Sequence, residues 1–165
     1  GRPLAGLFFV PPKRLSSSPP VARLRYDGGE RTYGMARMTL SGVVASGRGE
    51  GDFFTRTEWA RRRFVDLFAI DPYPGTLNVI LRDLAARSAW RQVKASKGRI
   101  LEPPDAGWCN ARCYPVTVSG AVRGAVVLPE VAGYPADQIE IVAAIGIRER
   151  LGLADGDRVT LEIEI

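Results

Sequence analysis

The chain has 165 residues, of which 45% are hydrophobic and 25% charged, as in one globular domain with its own core. Because it has no run of 18 apolar residues and no signal-peptide pattern, we expect a cytoplasmic protein without a membrane span. The net charge of +5 is concentrated in residues 1–36, whose six basic and two acidic residues leave only +1 for residues 37–165, which argues against nucleic-acid binding by the main domain. Histidine is absent, which excludes a Ser-His-Asp triad, a Cys-His pair and any histidine-ligated metal site.

Residues 1–36 form the first predicted segment. The stretch KRLSSSPPVA is rich in serine and proline, as linkers are, and Asp27-Gly28-Gly29 favours a tight hairpin turn. We interpret this segment as an N-terminal arm, a linker or the remnant of a preceding domain. Residues 37–165 are then the main domain.

The main domain is predicted to consist mostly of strands. Residues 38–46 form the first strand, and a helix follows with Thr55 as its N-cap and Glu58 as the capping-box partner; Pro72 prevents its continuation. The further elements are strands at 76–82, 98–102, 111–119, 122–128, 138–143 and 158–165, and a short helix near 145–151 that ends at Gly152. The sequence therefore predicts a mainly β fold, a closed or nearly closed barrel with one longer and one short helix.

A glycine-rich loop follows the first strand, with Gly47, Gly49 and Gly51 at alternate positions. Glycine lets backbone N–H groups approach an anion without a Cβ in the way. The spacing matches neither the dinucleotide-binding fingerprint G-x-G-x-x-G nor the phosphate loop G-x-x-x-x-G-K-[ST]. A bulged turn and an anion cradle therefore both stay open as interpretations.

The segment PYPGTLNV contains a second candidate site. A turn at Pro74-Gly75 precedes a strand on which Thr76 and Asn78 point to the same face. A hydroxyl beside an amide oxygen is a ligand pair suited to Mg²⁺, which also keeps waters and binds phosphates. The same two side chains could instead satisfy the backbone of the turn.

Cys109 and Cys113 are the only cysteines. A C-x-x-x-C pair without further Cys or His cannot complete a tetrahedral zinc site. We expect two reduced, partly buried thiols.

Taken together, the ordered motifs resemble the CTP-dependent riboflavin kinases typical of archaea. The resemblance runs from about residue 40 to residue 165 and includes GRGEG, PYPGTLNV, IEIVA, GIRE and the tail with DGD. PYPGTLN is its most specific part. The resemblance implies a small six-stranded barrel of the cradle-loop type and phosphoryl transfer from CTP to the ribityl 5′-hydroxyl of riboflavin, giving FMN and CDP.

The resemblance also implies roles for individual residues. A first segment around the cytidine nucleotide would comprise Gly47, Arg48, Gly49, Glu50, Gly51 and Asp52. A second nucleotide-binding segment would comprise Gly146, Ile147, Arg148 and Glu149. Thr76 and Asn78 would hold Mg²⁺, and Glu140 would contact the flavin. Asn78 and Glu140 are the catalytic candidates; Glu140 could serve as a general base or only anchor the acceptor.

The acceptor side departs from the family pattern. Ala132 stands where family members usually carry a flavin-contacting Thr, and Gly133 and Tyr134 follow. Tyr134 is therefore a further candidate for binding the acceptor, which is riboflavin or another small alcohol. The alternative function is an inactive nucleotide- or flavin-binding regulatory module, possibly attached to a DNA-binding domain. The retained Thr76 and Asn78 favour an enzyme, because a binding module needs no metal beside the phosphates.

Overall fold

The computed structural model describes residues 36–165, so the predicted N-terminal extension lies outside the described residues except for its last position. The domain boundary after residue 36 stays a prediction. The strands are β1 (Arg37–Ala45), β2 (Leu77–Ile80), β3 (Arg99–Leu101), β4 (Ala111–Val118), β5 (Val122–Pro129), β6 (Gln138–Ala143) and β7 (Arg158–Glu164). The helices are α1 (Glu50–Arg56), α2 (Glu58–Phe68), α3 (Leu84–Ala95) and α4 (Ile147–Leu151).

Six of the strands form a closed antiparallel barrel. The sheet order is β3-β4-β5-β6-β2-β1-β7, and a further pairing of β4 with β7, including Val116 opposite Ile163, closes the ring. β3 pairs only with the first residues of β4, beside the barrel. The prediction of a mainly β fold built on a six-stranded barrel is confirmed.

Two hydrophobic clusters hold the fold together. One fills the barrel and includes Tyr114, Ile141 and Leu161, all fully buried. The other lies between the helices after β1 and the outer face of the sheet, where Phe54 and Phe64 pack near Val127. Because both faces of β5 and β6 are largely covered, most of their residues are buried, whereas β7 alternates buried and solvent-facing residues.

The helices differ most from the prediction, because four are present in the described residues where two were expected. The proposed capping box is wrong: the chain already enters α1 at Glu50, Thr55 is buried within α1, and Thr57 is the N-cap of α2. The unpredicted α3 is capped by the Asp83 side chain, which accepts a hydrogen bond from the Ala86 backbone N–H at 2.6 Å.

Several smaller predictions hold. The predicted helix end at Gly152 is confirmed, because Gly152 ends α4 in the left-handed region, and the strands predicted at 111–119 and 122–128 are β4 and β5, joined by a turn in which Ser119 and Gly120 have positive φ angles. Cys109 and Cys113 are buried thiols, and burial raises the pKa of Cys113 to about 12. Within residues 36–165 no helix is long and apolar enough to cross a membrane. The cytoplasmic location stays a prediction.

Candidate active site

A cleft of about 460 Å³ opens where the loop after β1 meets the start of β2 and β6. Its walls contain fifteen residues: Ser46, Gly47, Arg48, Gly49, Glu50, Gly51, Asp52, Gly75, Thr76, Asn78, Gly133, Pro135, Gln138, Glu140 and Arg148. The structure thus brings together the whole glycine loop, both candidate metal ligands, Glu140 and one residue of the second predicted nucleotide segment.

The glycine loop packs directly on β2, which explains two of its three glycines. A Cβ on Gly47 would lie 2.3 Å from Asn78 Nδ2, and a Cβ on Gly51 would lie 2.5 Å from Thr76 Oγ1. Gly49 has open space around it but a φ of +79°, which side-chain-bearing residues rarely adopt. The sequence GRGEG therefore meets two requirements, close backbone approach and one left-handed residue.

Thr55 joins the loop to the turn before β2. Its hydroxyl donates a 2.7 Å hydrogen bond to the Gly51 carbonyl and accepts a 2.9 Å bond from the Gly75 N–H. The side chain is only 1% exposed. Sequence reasoning assigned Thr55 to a helix cap, whereas the structure uses it to hold the two predicted site segments together.

The floor of the cleft consists of polar side chains from β2, from β6 and from Thr76, which immediately precedes β2. Asn78 lies opposite Glu140 in the strand register, and each is only 7% exposed. The Thr76 hydroxyl donates to Glu140 Oε2 at 3.3 Å and accepts from Asn78 Nδ2 at 3.5 Å. The predicted pair and the predicted acid therefore form one hydrogen-bonded group.

The environment of Glu140 makes its carboxylate more basic than usual. Burial raises the pKa of Glu140, and hydrogen bonds from Tyr134, Thr76 and Gln138 oppose that rise only in part; the nearby charge of Glu50 adds a small upward contribution to the pKa. The Tyr134 hydroxyl donates to Glu140 Oε1 at 3.1 Å, and burial raises the pKa of Tyr134, so this phenol stays protonated at neutral pH. The site holds a buried acid with fixed hydrogen-bond donors.

Gln138 is a site residue that sequence reasoning missed. Its Nε2 donates to Asn78 Oδ1 at 3.1 Å and to Glu140 Oε1 at 3.3 Å. The available signal was the period of two along β6, which places residues 138 and 140 on the same face.

The second predicted nucleotide segment lines mainly a smaller neighbouring cleft of about 180 Å³. Gly146, Ile147 and Glu149 border this space, and it meets the main cleft at Gly75, Thr76 and Arg148. The Ile147 side chain also belongs to the barrel core. Of the four predicted residues, only Arg148 lines both spaces.

Arg148 is held in place from two directions. Its Nη2 donates to the Ala45 carbonyl at 2.8 Å and to Asp155 Oδ1 at 2.7 Å, and the Ser46 hydroxyl donates to the other carboxylate oxygen of Asp155. These hydrogen bonds lower the pKa of Asp155. The tail with the DGD sequence thus fixes a guanidinium at the edge of the main cleft.

On the acceptor side, the loop before β6 contributes Gly133 and Pro135 to the main cleft. Ala132 is exposed and borders an outer groove, together with Tyr134, whose hydroxyl nevertheless reaches Glu140. Tyr134 therefore contacts the site through the carboxylate and not through the cleft wall.

The donor atoms in the cleft suit a hard divalent cation. Thr76 supplies a hydroxyl oxygen, Asn78 an amide oxygen and Glu140 a carboxylate beside them. Mg²⁺ accepts one or two such protein ligands and completes its shell with water and phosphate oxygens. Across residues 36–165, no three His, Cys, Asp or Glu side chains converge as a metal site. The Asn78 amide nitrogen faces Thr76 Oγ1 and the Asn78 oxygen faces Gln138, so Thr76 and Asn78 could hold Mg²⁺ through the second lone pair of the hydroxyl and that of the amide oxygen.

Comparison with known proteins identifies the family. The model of the CTP-dependent riboflavin kinase family, described as a domain of unknown function, DUF120, matches residues 44–163. Similar proteins include the riboflavin kinases of Methanocella arvoryzae, 40% identical over 76% of this chain, and of Methanosarcina barkeri, 36% identical over 77%. The riboflavin kinase of Pyrobaculum islandicum is 38% identical over 81%. The chain spans 56%, 57% and 64% of these three relatives, respectively. It belongs to the CTP-dependent riboflavin kinase family.

Proposed function

We propose that this protein transfers the γ-phosphoryl group of CTP to the ribityl 5′-hydroxyl of riboflavin, giving FMN and CDP. One observation carries the proposal: the glycine loop, Thr76 with Asn78, Arg148 and Glu140 all face a single cleft. A glycine loop that could bind phosphate and a buried carboxylate in the same cleft suit a reaction between a nucleotide and an alcohol. The names of the similar proteins, riboflavin kinases, support the same acceptor.

The donor side would bind the triphosphate. Residues 47–52 line the cleft, where the exposed Gly47 and Gly49 place no side chain over their backbone N–H groups, and Arg48 and Arg148 add positive charge beside the loop. Phosphoryl transfer depends on positioning and charge neutralisation more than on covalent chemistry by the protein, so the absence of histidine is no obstacle.

Thr76 and Asn78 would hold Mg²⁺ through their hydroxyl and amide oxygens. When bound, the ion supplies charge neutralisation at the phosphate oxygens. The protein contributes the position of the two ligands, because the backbone at Gly47 and Gly51 lies so close to them that a Cβ would come within 2.3 Å of Asn78 Nδ2 and 2.5 Å of Thr76 Oγ1.

The acceptor hydroxyl would be oriented by Glu140. The buried carboxylate accepts a hydrogen bond from the 5′-hydroxyl and takes its proton as the new O–P bond forms and the bond from the γ-phosphorus to the bridging oxygen breaks. The raised pKa of Glu140 suits proton acceptance near neutral pH. Tyr134 and Gln138 keep the carboxylate oriented.

The test is direct. Protein incubated with CTP, Mg²⁺ and riboflavin should produce FMN and CDP in equal amounts, measured by chromatography with flavin fluorescence. Omission of Mg²⁺ should stop the reaction. An inactive binding module would bind CDP and riboflavin without forming FMN, and that result would contradict the proposal.

Nucleotide preference needs a separate measurement. Melting temperatures recorded with Mg²⁺ and CDP, ADP or GDP should rise most with CDP, because a ligand that binds only the folded state stabilises it according to its affinity. Equal shifts for all three nucleotides would remove the cytidine preference from the proposal.

A further inference from the structure

Gln138 is placed where the two halves of the cleft meet. It is the first residue of β6 and lies opposite Ile80 in the register, two pairs away from the Asn78 and Glu140 pair and on the same face of the sheet. Its side chain is half-buried and lines the cleft. Its amide nitrogen donates one hydrogen bond to Asn78, a candidate metal ligand, and another to Glu140, the candidate acceptor-binding acid.

The hydrogen bonds define which way each amide points. An ionised Glu140 can only accept, so Gln138 must turn its NH₂ group towards Glu140 Oε1. The second N–H of that group then requires an acceptor, which is Asn78 Oδ1 at 3.1 Å. The Asn78 NH₂ group is left facing Thr76 Oγ1. The orientation of Asn78 therefore follows from Glu140 through Gln138.

This orientation matters for cation binding. An asparagine side chain can bind a cation only through its oxygen, and a free amide can rotate to present its NH₂ group instead. An amide oxygen has two lone pairs, so Asn78 Oδ1 can accept from Gln138 and still bind a cation. Gln138 also restrains the carboxylate that Tyr134 and Thr76 contact.

We propose that Gln138 is a positioning residue that uses one amide group to hold Asn78 on the donor side and Glu140 on the acceptor side. The inference deepens the proposed function and rests on it for the identity of the two sides. Partners that orient metal ligands typically contribute 10- to 100-fold to metal affinity or activity.

The experiment compares Gln138→Met, which keeps length but donates nothing, with Gln138→His, which keeps one N–H donor at a similar reach. Gln92→Met on the exposed face of α3 is the matched control, since Gln92 is the other glutamine of the chain. Mn²⁺ binding is measured by electron paramagnetic resonance with CDP present. We expect Gln138→Met to weaken Mn²⁺ binding about tenfold, Gln138→His to weaken it less, and Gln92→Met to match the parent.

Kinetics and NMR provide two further measurements. In Gln138→Met, kcat should fall about tenfold at saturating riboflavin while the KM for CTP at saturating Mg²⁺ stays constant. The side-chain NH₂ signals of Asn78, identified by their loss in Asn78→Asp, should shift and broaden in Gln138→Met and stay closer to the parent in Gln138→His. A role in packing alone would leave these signals and the Mn²⁺ affinity unchanged in Gln138→Met, and that result overturns the inference.

Failure of the proposed function is distinguishable from failure of this inference. If the parent binds Mn²⁺ with CDP but forms no FMN, the reaction is wrong and Gln138 is judged on Mn²⁺ affinity. If the parent binds neither, Gln138 is judged on the Asn78 NH₂ signals alone. Should Gln138→Met fail to fold, the comparison of Gln138→His with the parent decides.

Discussion

The donor and acceptor sides of the cleft are built by different means. On the donor side, the loop of residues 46–52 approaches β2 so closely that Gly47 and Gly51 leave no room for a Cβ. On the acceptor side, Glu140 is held by hydrogen bonds from Tyr134, Thr76 and Gln138. Close backbone packing requires glycine, which can be recognised in the sequence. A hydrogen-bond network can be built from many polar residues, so the sequence does not reveal it.

The largest expected effect comes from the point where the two sides meet. Asn78→Ala removes the amide oxygen that would hold Mg²⁺, and we expect kcat to fall roughly a thousandfold or more, since charge stabilisation by a metal ion supplies several kcal/mol. The measurement is FMN formation at saturating CTP, with melting temperature recorded in parallel. Activity within tenfold of the parent would show that Asn78 is no metal ligand.

Gly51→Ala tests the backbone construction of the donor side alone. Because the new Cβ would lie 2.5 Å from Thr76 Oγ1, the loop or β2 must shift. A shift of about 1 Å at positioned groups costs on the order of 100-fold in rate, so kcat/KM for CTP should fall by about that factor. The affinity for riboflavin without nucleotide should change little.

Gly120→Asn is the control for that substitution. Gly120 has a φ of +66° with no neighbours near its Cβ position, and asparagine tolerates this conformation in a turn remote from both clefts. It should behave as the parent. If Gly51→Ala keeps full activity, the close approach of loop and strand is not what sets the donor site.

The strands could be predicted from the sequence because their patterns and turns agree locally. β7 alternates with a period of two, and Ser119-Gly120 marks the turn between β4 and β5. α3 was missed although Asp83 is an N-cap and Ala86, Trp90 and Val93 have helical spacing. At the break between α1 and α2, the N–H and hydroxyl of Thr57 both donate to the Phe54 carbonyl, while Thr55 accepts from the distant Gly75 N–H, a tertiary contact that local capping rules do not contain.

The parts of the candidate site that consist of glycines or of residues close together in the sequence could be predicted. The sequence predicts Gly47, Gly51, Thr76 and Asn78 as site residues, and all four line the main cleft. Gln138 was not, because its importance comes from pairing β6 with β2, a contact between distant parts of the sequence. Which cleft Gly146 and Glu149 border was likewise decided by the tertiary fold.

Ala132→Thr sharpens the comparison on the acceptor side. The position is exposed, so a larger side chain should fit without loss of stability, and its hydroxyl would restore the contact that the family resemblance implies. One hydrogen bond of about 1 kcal/mol corresponds to about a fivefold lower KM for riboflavin. Ala136→Thr in the same exposed loop is the control and should leave KM unchanged. An unchanged KM in Ala132→Thr would mean that this loop does not contact the acceptor.

The smallest expected effect concerns the ion pair between Arg148 and Asp155 at the edge of the main cleft. Asp155→Asn removes the charge that holds Arg148 at the cleft; because exposed ion pairs contribute little, the KM for CTP should rise only about twofold with kcat unchanged. Hydrogen bonds from Ser46 and Arg148 lower the pKa of Asp155. In the parent, the ion pair is therefore present at every pH above the ordinary aspartate pKa of about 3.9 and is lost only at lower pH. The difference in KM should therefore be constant from about pH 6 to 9 and should shrink at high salt. Asp71→Asn, which breaks the more exposed pair with Arg61 of α2 away from the cleft, is the control. If both variants change KM equally, the effect is one of net charge, and the donor side depends on its backbone alone.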